Sequence, residues 1–258
     1  FTYEVGFNMT YFNSLWKVKA DEALSDLMNP YKRQTHQTDY YGLGYIDTGL
    51  YQNKEDILNS PRRLGSTQTK LGDIGYTDVN GDGKIDGEDQ VRIGKPTMPH
   101  FTYAFDFSLG YEGFTLSGLL YGTGERYMTF GNRYQSGEGK YLYYENQLNY
   151  WRPDNTGADF PRISISSGVN GNNNKAGSTF WMRNASYLRL KDLQLSYDFK
   201  YKYLKKCDWL QTCRVNLSGS NLFTISGVSK FFDPETSSTS GDGYPVQRVY
   251  SIGVTIGF

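Results

Sequence analysis

Asp78-Val79-Asn80-Gly81-Asp82-Gly83-Lys84-Ile85-Asp86-Gly87-Glu88-Asp89 is a stretch whose residue types and spacing suit a metal ion. Oxygens from Asp78, Asn80 and Asp82, the carbonyl of Lys84, and the carboxylates of Asp86 and Asp89 fall at the intervals of a calcium loop. Gly83 permits the sharp turn, and Ile85 is placed to anchor the loop to a core. The run closes on Asp89 rather than the Glu of an EF-hand, and no helical pattern flanks it. Calcium here would be structural, pinning a loop that lacks a core of its own. The alternative is a solvated Asn/Asp/Gly turn that holds no ion. Catalysis finds no comparable foothold. His36 and His100 lack a second ligand at helical spacing. Neither Cys207 nor Cys213 has a nucleophile signature, and no phosphate-binding loop or GxSxG elbow occurs. The chain reads as a non-enzyme.

Two aromatic segments are candidates for binding, Tyr150 to Asn155 around Trp151 and Ser178 to Arg183 around Trp181. Such rings stack on sugar faces or peptide side chains, or they pack one loop against another; both roles stand at this point. Asn170 to Lys175 is expected to be a flexible polar tip. Asp21 to Asn29 has the pattern of a short helix with Ala23, Leu24, Leu27 and Met28 on one side, suited to local packing. The net charge of zero gives no electrostatic case for nucleic acid. Mean hydropathy is −0.62, and no stretch approaches the ~20 apolar residues of a membrane helix. That leaves room for membrane strands, which alternate and average out to polar. With 23 Tyr, 15 Phe, 4 Trp and 29 Gly, the composition favours an all-β protein with aromatic girdles or sugar-binding surfaces. Cys207 and Cys213 permit either a small bridged loop or two free thiols.

The elements that must position these residues are strands. At the carboxyl end, Tyr250, Ile252, Val254, Ile256 and Phe258 share one face, and Ser251, Gly253, Thr255 and Gly257 the other. Ending on an aromatic residue with no polar tail suits a transmembrane barrel strand, apolar towards lipid and polar towards the lumen. The pattern Ser251, Gly253, Ile256, Phe258 resembles the terminal signal by which bacterial outer-membrane barrels are recognised for insertion. The opening alternates as cleanly, with Phe1, Tyr3, Val5, Phe7, Met9 and Tyr11 on one face. Further strands are expected at Phe101 to Tyr111 and Phe114 to Tyr121, which form a hairpin, and at Tyr187 to Phe199, with a bulge near Asp192. Arg214 to Phe223 and a last strand from about Pro245 complete the set.

If Phe258 lies at the periplasmic rim, the short turns fall on that side. The connections of about Asn13 to His100, Gly122 to Asn184 and Thr224 to Tyr244 fall on the outer side. Short turns at one end and long loops at the other is the asymmetry of outer-membrane barrels. Six strands are too few to close one, since roughly eight is the smallest seen. The mid-strand opening leads us to expect a mature piece of something longer.

Several segments together resemble the SusC/RagA family of TonB-dependent transporters of Bacteroidota outer membranes. They are Gly49 to Ile57, Gly72 to Gly83, Arg92 to Pro96, Phe180 to Lys191, Ser220 to Phe223, Phe232 to Glu235 and Tyr244 to Tyr250. The resemblance spans nearly the whole chain in order and corresponds to the C-terminal portion of such a protein. It implies a transmembrane antiparallel β-barrel of 22 strands with long extracellular loops, an N-terminal plug with a TonB box, and a SusD-like lipoprotein lid. It implies uptake of oligosaccharides or peptides across the outer membrane, energised by TonB with ExbB and ExbD. The plug and TonB box lie outside this sequence, so no gating residue carries over. Two rival classes are a passive porin or adhesin barrel in outer-membrane lipid, and a soluble, calcium-pinned β-protein that binds glycans.

Overall fold

The computed structural model describes all residues except 39–41, 64, 66–68, 95–97, 136–143, 164–172, 237–238, 240–242 and 245; at 132 and 133 it describes the backbone alone. The alternating segments become six long strands: β1 (Thr2–Tyr11), β2 (Phe101–Tyr111), β3 (Phe114–Gly124), β4 (Tyr187–Asp198), β5 (Thr212–Ser220) and β6 (Val249–Gly257). They form one antiparallel sheet in chain order, β1-β2-β3-β4-β5-β6, and a short strand at Thr224–Ser226 adds to β4. The regular structure among the described residues is thus mostly strand with few and short helices, an all-β protein.

The register puts like with like across the whole sheet. Tyr3, Leu109, Leu116, Leu195, Leu217 and Ile252 line up in one row, and all six are apolar. The adjacent row is Glu4, Ser108, Ser117, Gln194, Ser218 and Ser251, and all six are polar. Successive side chains of a strand point to opposite faces, so one face of the sheet is apolar and the other polar. Among the described residues nothing covers the apolar face, and Ile252 is 74% exposed upon it. The strands are 9 to 12 residues long, the length of a membrane-crossing strand.

Between β2 and β3 the turn is two residues, Glu112 (φ 45°) and Gly113 (φ 83°). Two left-handed residues in succession match the strand twist, and glycine carries the second without strain. The Tyr201 side chain closes over Gly113, so a Cβ there would lie 2.9 Å from it. The expected bulge occurs between Leu190 and Asp192, where the register against β3 shifts by one. Two strand bounds differ from the sequence reading. β5 stops at Ser220 because Asn221 turns left-handed (φ 54°) and gives its amide to the Lys191 carbonyl. β6 starts at Val249 instead of near Pro245, which itself lies outside the described residues.

Short turns (112–113 and 199–211) lie at one end and the connections 12–100, 125–186 and 221–248 at the other. At the short end, Phe114 lies 4.4 Å from Tyr197 and Trp209 stacks on Phe258 at 5.7 Å and 11°. With exposed Tyr111, Tyr201 and Tyr203 these make an aromatic fringe. The three long connections build a second core of their own, with Tyr45, Ile74, Ile85, Phe130, Phe160, Trp181 and Val228 buried together. Ile85 anchors its loop there, as expected. The helix at Leu24–Met28 forms, yet Leu24 and Met28 are exposed; among the described residues its apolar side has no close packing, contrary to the expectation.

Candidate functional site

The polar face of β4 carries a cluster of charge where the wall meets the loops. The bulge lets Arg189 point to the polar side two residues before Lys191, and Arg189 is only 1% exposed. Its guanidinium meets Asp233 at 2.6 Å and Glu235 at 2.8 Å and donates to the Thr224 hydroxyl at 2.8 Å. Lys191 and the Tyr187 hydroxyl also donate to Glu235, at 2.6 and 2.7 Å. Arg126 donates to the carbonyl of Pro234. Burial alone would raise the Glu235 carboxyl. The hydrogen bonds from Lys191 and Tyr187 and the charge of Arg189 outweigh it and hold Glu235 below the ordinary carboxylate range. The Phe232-Asp233-Pro234-Glu235 segment is thereby tied to the wall by two sequence motifs that lie 40 residues apart or more.

A second buried hub joins the first two long connections. Asp73, 0% exposed, meets the Arg162 guanidinium at 2.6 Å and accepts from Asn174 at 3.0 Å and from the Lys70 amide at 2.8 Å. Asn174 accepts the Ile74 amide, and its carbonyl takes the indole N–H of Trp181 at 2.8 Å. Tyr76 donates to the Asn173 carbonyl at 2.6 Å, and burial holds its hydroxyl in the neutral form far above neutrality. This corrects the expected flexible tip: Asn173 and Asn174 are buried structural residues in a one-turn helix (Asn173–Lys175). The remaining part of that tip, 170–172, lies outside the described residues.

Trp181 is 0% exposed and Trp151 7%, so both occupy the loop-against-loop role left open by the sequence. Trp151 lies flat over Gly72, where any Cβ would meet its ring, and its N–H donates to Gln52 at 2.8 Å. Neither indole presents a face for a substrate to stack on.

The Asp78–Asp89 loop is fully described. Its carboxylates accept backbone amides: Asp78 from Gly81 and Gly83 at 2.7 Å, Asp82 from Lys84 at 2.9 Å, and Asp86 from Glu88 at 2.8 Å. Asn80 accepts from Asp82, and the buried Asp89 accepts from Val79 and Asp86. Among the described residues no three His, Cys, Asp or Glu side chains converge as a metal would require. These bonds give the loop the Asx turns that shape it. Cys207 and Cys213 are free thiols. On β6, Ser251 and Gly253 lie on the polar side and Ile256 on the apolar side, and Phe258 follows the strand, stacked on Trp209.

Sequence reasoning missed the Arg189 cluster and the Asp73 hub. A signal existed for the first, since Arg189 and Lys191 interrupt an otherwise apolar strand pattern. None existed for the second, whose partners Asp73 and Arg162 are 89 residues apart.

No family model matches the chain. TonB-dependent receptor P3 of Formosa agariphila is 27% identical over 228 residues, which cover 83% of this chain and 22% of that protein. TonB-dependent receptor P26 of the same organism is 26% identical, covering 81% of this chain and 22% of that protein. The chain thus spans under a quarter of the length of these relatives. Among solved structures, the RagAB peptide transporter aligns with a TM-score of 0.62 at 21% identity, over 87% of this chain and 23% of the other. The RagAB peptide importer in its open-open state aligns at 0.60 and 20% identity, over 99% of this chain and 26% of the other. The chain is similar to TonB-linked transporters of the SusC/RagA type, as its motifs indicate.

Proposed function

We propose that this chain forms part of the wall and the outer loops of a TonB-dependent importer in a bacterial outer membrane. The observation that supports it most is the pair of adjacent six-residue rows, one wholly apolar and uncovered, the other wholly polar. A face of that kind is stable against lipid and unstable in water. In a closed barrel of the 22-stranded kind, the exposed strands β1 and β6 pair with further strands, because open edges of that length are otherwise a liability. Ser251, Gly253, Ile256 and Phe258 then serve assembly. The long connections lie outside the cell, where a SusD-like lipoprotein covers the mouth, and energy comes from TonB with ExbB and ExbD through a plug. The cargo is an oligopeptide or oligosaccharide. Likeness to peptide transporters favours the peptide. The protein moves its cargo without chemistry, and calcium held at Asp78–Asp89 would pin that loop.

The test is uptake by whole cells. Deleting the gene, or inactivating TonB, is expected to abolish accumulation of labelled oligopeptide. Uptake that continues without TonB would indicate a passive pore, and recovery of the protein in the soluble fraction would overturn the membrane reading.

A further inference from the structure

The turn 199–211, at the short end of the wall, gathers positive charge in a chain whose net charge is zero. It holds Lys200, Lys202, Lys205 and Lys206 against one acid, Asp208, with Glu112 in the neighbouring turn. Lys200 serves the fold by donating to the Leu210 carbonyl, and Asp198 at the end of β4 is taken by the Lys200 amide and by Arg214. Lys202, Lys205 and Lys206 are exposed, and among the described residues none of them meets an acid. Backbone bonds give the turn a fixed shape. The Phe199 carbonyl accepts the amides of Tyr203 and Leu204 at 3.0 and 2.9 Å, and Cys207 joins Leu204 to Leu210 through its own amide and carbonyl. Exposed Tyr201, Tyr203 and Trp209 stand at the rim of the sheet. Tyr203 packs on Tyr197 at 6.3 Å, and Tyr197 shares a row with Phe114, Val215 and Val254 on the apolar face. Trp209 stacks on Phe258, and the Gln211 amide ties the turn to the end of β6 at the Gly257 carbonyl, 2.8 Å away.

We propose that this turn is a binding site for the headgroups of anionic phospholipids, in the leaflet that borders the short end of the wall. Amphipathic rings settle at the level of the headgroups, so Tyr201, Tyr203 and Trp209 fix the depth at which the turn meets the bilayer. A lysine beside such a belt lays its carbon stem along the apolar rim and reaches the phosphates with its ammonium. Each ammonium brings three donors and no acceptor, a match for phosphate oxygens. A zwitterionic headgroup carries a cation of its own that offsets its phosphate. Phosphatidylglycerol carries an uncompensated negative charge, and three lysines that meet no acid select it. An acidic protein in the aqueous space would meet the lysines but leave the rings uncovered. The inference rests on the membrane reading of the sheet and adds which lipid the wall retains.

The experiment is native mass spectrometry of the whole detergent-extracted protein, titrated with phosphatidylglycerol and in parallel with phosphatidylcholine. The wild type is expected to prefer phosphatidylglycerol by about a hundredfold, roughly fivefold for each of the three lysines. Combining Lys202→Gln, Lys205→Gln and Lys206→Gln is expected to remove that preference. Combining Lys202→Arg, Lys205→Arg and Lys206→Arg keeps the charge and is expected to retain it. Raised salt should weaken phosphatidylglycerol binding and leave phosphatidylcholine unchanged. Equal binding of the two lipids by the wild type would overturn the proposal, as would a preference that survives the three glutamines. Soluble polyglutamate that binds as tightly as phosphatidylglycerol would overturn it too, in favour of an acidic protein partner. Insertion into bilayers is scored separately. A protein that inserts but shows no lipid preference would discard the site and leave the membrane wall standing, whereas one that fails to insert would remove both.

Discussion

Inside a strand, an arginine with 1% of its surface exposed is tolerable only when its charge is matched. Arg189 has that match in Asp233 and Glu235, so its value is clearest when it is removed. Arg189→Ala leaves two carboxylates beside Lys191 without their main partner and is expected to destabilise the loop side by about 3–5 kcal/mol. The readout is faster proteolytic cutting within 221–248, with the sheet intact. The direction of the Glu235 shift fixes the pH dependence. A carboxyl held low in the folded state contributes stability above its unfolded pKa, and that contribution is lost as pH falls through the folded value. The 221–248 connection should therefore stay closed from neutral pH to about 5 and loosen only below about 4, within or under the usual carboxylate range. Protease sensitivity that rises between pH 7 and 6 would contradict this. Trp181→Ala, which empties a fully buried site, is expected to cost about 3–5 kcal/mol and to melt the loop core.

Each strand carries its message in a period of two, which is why the wall was legible. Tyr3, Val5, Phe7 and Met9 alternate with Glu4, Gly6 and Asn8, and a single-residue slip would turn every side chain to the wrong face. The two faces of β6 make a direct comparison. Val254→Arg places a charge on the apolar side and is expected to cost about 2–4 kcal/mol near the bilayer midplane, whereas Thr255→Glu, a charge on the polar side opposite Arg214, is nearly neutral. The check is the fraction of folded, heat-resistant barrel in outer membranes; equal yields for both variants would contradict the assignment of faces. The loop at Asp78–Asp89 was legible in part. Its spacing gave the turns and the Ile85 anchor, but spacing does not tell whether carboxylates take amides or an ion. Melting with calcium and with a chelator decides: a bound ion is expected to raise the melting temperature by several degrees, and a shift of less than about 1 °C would mean a turn that holds no ion.

Taken whole, the molecule divides into a wall dictated by local pattern and a loop core dictated by distant contacts. Asp73 finds Arg162 and Asn174 roughly a hundred residues away, and irregular segments carry no periodicity that announces such meetings. For the same reason Asn173 and Asn174 looked like a solvent-exposed tip, when their amides satisfy the buried backbone of Ile74. The motifs Gly72 to Gly83, Phe180 to Lys191 and Phe232 to Glu235 now have a common physical role. They hold Asp73, Ile74, Tyr76, Trp181, Arg189, Asp233 and Glu235, the residues that fold three connections onto one wall. The account depends most on the apolar face meeting lipid. Spin labels placed by Leu217→Cys and Ser218→Cys, in a background lacking Cys207 and Cys213, measure this in reconstituted bilayers through collision with oxygen and with a water-soluble nickel complex. The label at 217 is predicted to favour oxygen and the label at 218 nickel. Equal access of the nickel complex to both would contradict a membrane wall.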